Sequence, residues 1–117
     1  MAEVVESKED ENKKSGLQTI YVGTKPLIRY VMAAIALYLN ERPNKLKIAA
    51  RGRAISRAVD VAEVLRTLYL KGILDVEDVK IHTDRIEDKK SPGKTDRVSS
   101  MEILLRKKEE VLQRKQS

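Results

Sequence analysis

Apolar residues in the first part of the chain predict one strand and one helix. Leu17–Val22 alternates weakly between polar and apolar positions, which favours a short strand that ends at Gly23. Leu27–Leu39 is almost wholly apolar apart from Arg29 and is too long for a strand, so we expect a largely buried helix. Pro26 suits the first turn of this helix, because its missing N–H removes no intrahelical hydrogen bond.

A second strand and a second helix are predicted next. Lys45–Ala50 alternates lysines with Leu46 and Ile48, which is typical of a strand. Within Arg53–Leu70 apolar residues recur at steps of three and four, which predicts a helix that Gly72 would end. The predicted core-facing stripe of this helix is Ile55, Ala58, Val59, Ala62, Leu65 and Tyr69.

The last part of the chain predicts a hairpin. Val76–Ile86 and Val98–Arg106 read as strands, with Val79 and Ile81 on one face of the first, and the basic, turn-rich segment KKSPGK at 89–94 lies between them. The order β-α-β-α-β-β predicts an α+β fold, a two-layer sandwich. A four-stranded mixed sheet would carry both helices on one face.

The two ends of the chain differ from its middle. Residues 1–16 are rich in Glu, Lys, Ser and Asn and predict a disordered polar tail, without the apolar core of a signal peptide. Residues 108–117 predict a charged C-terminal extension, which leaves 17–107 as a single domain. No uncharged apolar run approaches the roughly 18 residues of a membrane span, so we expect a cytoplasmic protein.

The charge of the chain favours a polyanionic partner. Its 117 residues carry a net charge of +6, with an isoelectric point near 9.6. Residues 1–14 contain five acids and three lysines, so the rest has 21 cations against 13 anions and a net charge of +8. A basic domain of this size attracts nucleic acid, although a charged, solvated surface is the simpler alternative.

Few residues could carry catalysis or bind a metal. The chain has no cysteine, which excludes disulfides and thiolate zinc sites, and its one histidine, His82, lies in a predicted strand. No metalloprotease, serine-hydrolase or phosphate-loop motif occurs. Asp75, Glu77 and Asp78 could form a weak divalent site, but three acids in a loop more often form a solvated turn. We therefore expect no enzyme, no cofactor and no metal.

The aromatic residues disfavour a sheet that stacks several bases. The chain has four tyrosines and no Phe or Trp. Tyr30 and Tyr38 lie in the first predicted helix, and Tyr21 is the one tyrosine in a predicted strand. A base-stacking sheet needs several exposed rings, so phosphate contacts should dominate any binding of nucleic acid.

Positive charge is concentrated at the two predicted strand-to-helix turns. Arg51-Gly52-Arg53 forms the second turn, and Arg57 follows about one helical turn later. Cations at a helix start oppose the helix dipole, so stability does not explain them, whereas arginine forks and free backbone N–H groups suit phosphate. The first turn carries Lys25, and its helix carries Arg29. If the first two strands are parallel, both turns open at the same edge of the sheet.

Three segments resemble the Alba family of small basic chromatin and RNA-binding proteins of archaea. They are VGTKPLIRYVMAAIALYL, KIAARGRAISRAVDVAEVLRTLYL and RVSSMEILLRKK, within roughly residues 17–107, and ARGRAIS followed by AVD is the most specific part. The resemblance implies the fold of the C-terminal domain of translation initiation factor 3. It also implies a homodimer, or a heterodimer with a related Alba chain, that binds double-stranded DNA and RNA with little sequence preference and is associated with the chromosome.

The resemblance implies roles for individual residues. The two turns would lie on the central surface of the dimer, and residues 85–97 would form an arm toward the DNA minor groove. The flanking acids Asp88 and Asp96 leave a solvated turn as an alternative for this loop. The residues expected to bind nucleic acid are Lys25, Arg29, Arg51, Gly52, Arg53, Arg57, Arg85, Lys89, Lys90, Lys94 and Arg97.

Two further positions stand out against the family pattern. Thr24 occupies a position where the family often has a lysine that can be acetylated, which places that form of regulation in doubt here. Tyr69 occupies the position of an aromatic residue used in contacts between dimers along DNA, and ordinary helix packing is the alternative.

The leading hypothesis is therefore a dimeric, non-catalytic protein that coats or compacts DNA and also binds RNA. An alternative keeps the fold but makes RNA the main target, as a chaperone or as a subunit of an RNA-processing particle. A small hydrolytic enzyme has no catalytic constellation to support it. Val61, Val64 and Leu68 lie beyond the predicted core-facing stripe of the second helix, and a dimer would bury them.

Overall fold

The six predicted elements all occur in the computed structural model, which describes residues 16–87, 90 and 93–108. A 3₁₀ turn at Gly52–Ala54 and a π-helical turn at Leu65–Tyr69 flank the second helix. Of the predicted tail and C-terminal extension, all residues except Gly16 and Lys108 lie outside the described part. The elements are β1 (Leu17–Val22), α1 (Leu27–Glu41), β2 (Lys45–Arg51), α2 (Ile55–Val64), β3 (Leu74–Glu87) and β4 (Thr95–Lys107).

The four strands form one mixed sheet, as predicted, and their order in this sheet is β1-β2-β4-β3. β1 and β2 are parallel, because α1 carries the chain back between them. β4 lies antiparallel to β2 and to β3, which occupies the edge. The carboxyl ends of β1 and β2 therefore lie at the same edge of the sheet.

Both helices cover one face of this sheet, which we call the inner face. The most fully buried residues of α2 and its π-helical turn are spaced by three and four positions. Together with the buried residues of α1 and of the sheet, they form one core. Ile20, Ile48 and Ile103 form the centre of the inner face, since they are register partners on three neighbouring strands. The opposite face, which carries Tyr21 and Lys47, is the outer face.

The prediction of a largely buried first helix was wrong for half of its surface. Tyr30, Val31, Ala34 and Tyr38 face the core, but the opposite side of α1 is exposed at Ile28, Met32 and Leu39. A helix that lies on a single sheet contacts it through one stripe only, and no other described element covers the outer side of α1. Its apolar composition therefore reflects an exposed surface as well as a buried one.

The predicted core-facing stripe of the second helix was wrong at Val59 and Tyr69, which are exposed. Val61 is fully buried and Val59 is partly exposed, because Val61 shares the helix face of Ala58 and Leu65 while Val59 does not. Tyr69 is also exposed, and the π-helical turn explains this. The Leu70 N–H donates to the Leu65 carbonyl over 2.8 Å, an i to i+5 bond that makes Leu70 the next buried residue.

The end of the hairpin extends beyond the sheet. β2 pairs with β4 only as far as Ser100, whereas β3 and β4 continue to pair from Thr83 with Ser99 to Glu87 with Thr95. These last pairs have no third strand among the described residues. The hairpin is therefore a two-stranded ribbon at this end, as the arm hypothesis requires.

Candidate nucleic-acid interface

Two basic turns lie side by side at one edge of the sheet. The parallel pairing of β1 and β2 brings the turn after each strand to that edge. The Arg57 side chain links them, since its Nη1 donates a hydrogen bond to the Lys25 carbonyl oxygen over 2.7 Å. We call the cations of the two turns and of the helix starts that follow them the basic edge: Lys25, Arg29, Arg51, Arg53 and Arg57.

A buried tyrosine shapes the first turn. Tyr30 is in the core, yet its hydroxyl reaches out to accept a hydrogen bond from the Lys25 backbone N–H over 3.0 Å. A Cβ atom at Gly23 would lie 3.3 Å from the same hydroxyl, so the glycine allows this close approach. The core of the domain thus positions the backbone of Lys25.

The second turn depends on the backbone of Gly52. This residue has a φ of +56°, in the left-handed region that glycine adopts without strain. A Cβ there would meet Val98 Cγ1 at an ordinary 3.5 Å, so the required feature is the backbone angle rather than space. The turn points Arg51 and Arg53 to the exterior, where both are exposed.

The helix starts at the basic edge carry no acidic residue. Neither α1 nor the 3₁₀ turn that leads into α2 has an acid in its first turn or a side-chain cap. Their first N–H groups and the nearby arginines therefore present positive potential together, which favours an anion.

Two acids of the sheet pair with cations that do not belong to the basic edge. Glu77 contacts Lys45 and Arg106 over 3.4 and 3.8 Å, at the end of the sheet opposite the basic edge. Glu102 contacts Lys47 over 3.5 Å on the outer face. Within the described ranges, no hydrogen bond or ion pair involves the guanidinium of Arg29, Arg51 or Arg53.

The three acids considered as a divalent site are engaged differently. Asp75 contacts Lys108 over 3.8 Å, and the Asp78 carboxylate accepts from the Val79 N–H. Glu77 is held by the two cations named above. No group of three metal-ligating side chains occurs in the part of the chain that the structure describes.

The ribbon places two arginines directly opposite each other. Arg85 pairs with Arg97 in the β3–β4 register, and both are exposed. Like charges at directly opposed positions destabilise a strand pair, so these two arginines do not contribute to the stability of the ribbon. Lys90 and Lys94 lie exposed at the tip, whereas Lys89 is outside the described residues.

The Alba family matches this chain over residues 18–83. The chain belongs to the Alba family. The match includes the whole basic edge and Tyr69, and it ends before Arg85.

Two curated Alba proteins are similar over most of this chain. The DNA/RNA-binding protein Alba 1 of Archaeoglobus fulgidus is 44% identical over 90 residues, 77% of this chain and 96% of that protein. The DNA/RNA-binding protein Alba of Nanoarchaeum equitans is 45% identical over 89 residues, 76% of this chain and 97% of that protein.

Solved Alba structures have the same fold. Alba from Thermoplasma volcanium aligns with a TM-score of 0.67 at 36% identity, over 75% of this chain and 98% of that one. ALBA1 from Trypanosoma brucei aligns with a TM-score of 0.59 at 19% identity, over 84% and 81% of the two chains. The second similarity concerns the fold alone.

This Alba chain also has an exposed apolar surface that the sequence analysis did not assign. Four residues beside one another on α2 and the inner face of β3 form it, and we call it the α2–β3 surface: Val59, Val76, Val79 and Ile81. Ile81 is 74% exposed. The first three border a shallow apolar cavity of about 200 Å³. A contiguous exposed apolar surface marks an interaction site.

Further apolar side chains are exposed at the π-helical turn. Leu68 is 67% and Tyr69 is 53% exposed, and they lie at the end of the second helix rather than on the α2–β3 surface. None of the described helices is long and apolar enough to cross a membrane.

A groove on the outer face was not predicted from the sequence. It lies next to Arg51 and is lined by Tyr21, His82 and Ser100, among others. The signal that could have indicated it is the exposure of Tyr21, which follows from strand alternation once Ile20 and Val22 are placed inside.

Proposed function

We propose that this chain binds double-stranded DNA and RNA without catalysing a reaction and with little regard to sequence. The observation that carries the proposal is the basic edge, where parallel strands bring two turns together and leave Arg51 and Arg53 exposed, with no ion pair to an acid among the residues that the structure describes. Such groups bind the phosphates that every nucleic acid shares, and phosphate contacts carry no sequence information. The names of its relatives, DNA/RNA-binding proteins, support the same function.

We further propose that the binding unit is a dimer, either of two copies of this chain or with a related Alba chain. The α2–β3 surface would be buried between the subunits, because its four apolar residues lie in one area beside the core. A symmetric pair presents two basic edges and two ribbons to one ligand, which raises the apparent affinity for a long phosphate backbone.

The ribbon would act as an arm of this interface. Arg85 and Arg97 lie beyond the last residue that the third strand supports, so they can reach a nucleic acid that the basic edge holds. Lys90 and Lys94 extend the same charge to the tip, and Lys89 belongs to the same segment of sequence. A protein with these contacts is expected to be associated with the chromosome.

The proposal is tested by the affinity for duplexes of equal length. Several DNA duplexes of unrelated sequence should give Kd values that agree within about threefold, because phosphate contacts dominate. An RNA duplex should also bind. A strong preference for one DNA sequence would show base readout and would overturn the proposal.

An RNA-centred function uses the same site and differs in the ligand bound in the cell. Ultraviolet crosslinking in the cells that make the protein, followed by sequencing of both polymers, separates the two. Recovery of broadly distributed DNA supports chromosome coating. Recovery of a few structured RNAs with little DNA would support a chaperone or a subunit of an RNA-processing particle instead.

A further inference from the structure

A groove on the outer face of the sheet adjoins the basic edge. Its floor consists of two small side chains on the central strands, Ala49 and Ser100, which are 8% and 4% exposed. Tyr21 is the register partner of Ala49, and His82 is the register partner of Ser100. Larger side chains on the two edge strands therefore flank a low floor, which leaves a depression of about 600 Å³.

One end of this outer groove opens to the basic edge. Arg51 is the register partner of Ser100, and both Arg51 and Arg53 line the groove. A phosphate held by these arginines would lie beside the opening. The atoms next to that phosphate along a nucleic acid are a ribose and a base, which could then enter the groove.

The lining suits the flat face and polar rim of a nucleobase. Tyr21 is 39% exposed on its strand, and an exposed tyrosine ring is a surface on which a base stacks. Glu102 and Asp84 also line the groove, and their carboxylates can accept hydrogen bonds from the exocyclic amino groups of bases. Strand pairing with Ala49 places Glu102 on this face, where its carboxylate also contacts Lys47 over 3.5 Å.

The shape of the groove favours an unpaired base over a paired one. Its volume of about 600 Å³ is within the roughly 300–1,000 Å³ typical of small-molecule sites, although the groove is open on one side. Bases within a duplex are stacked on their neighbours and present only their edges, whereas unpaired bases can be turned out and stacked on aromatic side chains. A single ring serves a single base, so this site does not need the several exposed rings of a base-stacking sheet.

We propose that the outer groove binds one unpaired nucleotide of a single-stranded segment, with its base against Tyr21 and its phosphate at Arg51 and Arg53. The inference rests on the proposed function for the phosphate contacts, and it adds a preference for loops, bulges or ends at one position of the surface. The shared chemistry is that of a nucleotide, from RNA or from DNA.

The test compares single strands with duplexes for the full-length chain and three variants. Tyr21→Ala removes the stacking ring and should weaken binding to short single strands by about tenfold, while Tyr21→Phe keeps the ring and should stay close to the original affinity. Ala49→Leu fills the floor while the tyrosine ring is retained, and it should act like Tyr21→Ala. Duplex affinity should be unchanged in all three, because a duplex does not place a base in the groove.

RNA and DNA strands of the same base sequence identify the source of the nucleotide. A loss of affinity in the variants for either the RNA or the DNA strand supports the groove inference. A loss of affinity for RNA alone shows that the ribose hydroxyl is also recognised. Single-strand affinities that stay unchanged in both Tyr21→Ala and Ala49→Leu overturn the inference, as does an equal loss for single strands and duplexes. Should Tyr21→Ala fail to fold, Ala49→Leu decides alone.

The outcomes also separate this inference from the proposed function. If the chain binds duplexes but its binding of single strands does not depend on Tyr21, the groove inference is wrong and the proposed function stands. If the original chain does not bind duplexes but binds single strands in a way that depends on the Tyr21 ring, the proposed duplex binding is wrong and the groove inference stands.

Discussion

At the scale of single residues, each member of the Arg51-Gly52-Arg53 turn has a different physical role. Gly52 supplies a left-handed backbone angle, and the arginines on either side are directed outward by it. Arg57 differs from them, because it is partly buried and its guanidinium is bonded to the Lys25 carbonyl oxygen. It therefore stabilises the arrangement of the two turns as well as adding charge.

The role of Gly52 predicts a loss of stability on substitution. Gly52→Ala should lower the free energy of unfolding by about 1–2 kcal/mol, because alanine is strained at a φ of +56°. Gly52→Asn is the matched control and should lose clearly less, since asparagine tolerates this region. Urea unfolding at one protein concentration measures both. Equal stability of Gly52→Ala and the original chain would show that the turn relaxes to another conformation.

At the scale of elements, strands and helices followed from the sequence more fully than the faces they present. Alternation and three-to-four spacing located all six elements, because backbone hydrogen bonding is local in helices and patterned in strands. The exposure of Tyr69 did not follow, since it depends on a single i to i+5 bond from Leu70 to Leu65. The length of the ribbon did not follow either, because it depends on where β2 stops pairing with β4.

The paired arginines of the ribbon predict opposite effects on stability and binding. Changing both Arg85 and Arg97 to Gln should leave the melting temperature unchanged or slightly raised, because opposed like charges cost up to about 1 kcal/mol. The footprint on duplex DNA should shorten and the affinity should fall. Hydroxyl-radical footprinting and thermal unfolding measure the two effects.

A control for the ribbon changes the next pair on the same face, Thr83 and Ser99, to Gln. It introduces the same side chains two residues closer to the sheet without removing charge, so its footprint should match that of the original chain. If the arginine variant kept the full footprint and affinity, the ribbon would be a solvated hairpin without a role in binding.

At the scale of the whole molecule, basic and apolar surfaces lie in separate places. A dimer was predicted from Val61, Val64 and Leu68, but Val61 belongs to the core, and the α2–β3 surface is an exposed apolar area that this prediction did not include. The sequence could not locate this area, because Val59 and Ile81 are distant in sequence and only the fold brings their elements together. The basic edge could be predicted, since each turn is a local signal and the parallel strands align them.

The α2–β3 surface predicts a dimer at micromolar concentration without nucleic acid. Ile81→Glu should raise the dissociation constant of this dimer at least tenfold, or about 1.4 kcal/mol, because a carboxylate would be buried without a partner. Ile28→Glu, on the exposed side of α1, is the control and should remain dimeric. Analytical ultracentrifugation distinguishes the states. A monomeric original chain would contradict the dimer.

The exposed ring of Tyr69 predicts an effect on assembly along DNA. Tyr69→Ala should leave the dimer and its melting temperature intact but reduce cooperative coating of long duplexes, because the ring would contact neighbouring dimers. Titrations on short and long duplexes measure the cooperativity, with Tyr69→Phe as the control. Unaltered cooperativity in Tyr69→Ala would assign the ring to ordinary surface packing.

The central claim is that the basic edge binds phosphates, and the salt dependence of DNA affinity tests it most directly. For the original chain, log K should fall steeply and linearly with the logarithm of the salt concentration. Arg53→Ala should reduce the magnitude of this slope by about one, and it should weaken binding to duplexes of unrelated sequence equally. Arg66→Ala is the matched control, because Arg66 is already paired with Glu63 over 2.8 Å on α2 and its π-helical turn, and its slope should be unchanged. An unchanged slope for Arg53→Ala, or a loss confined to one sequence, would contradict the account.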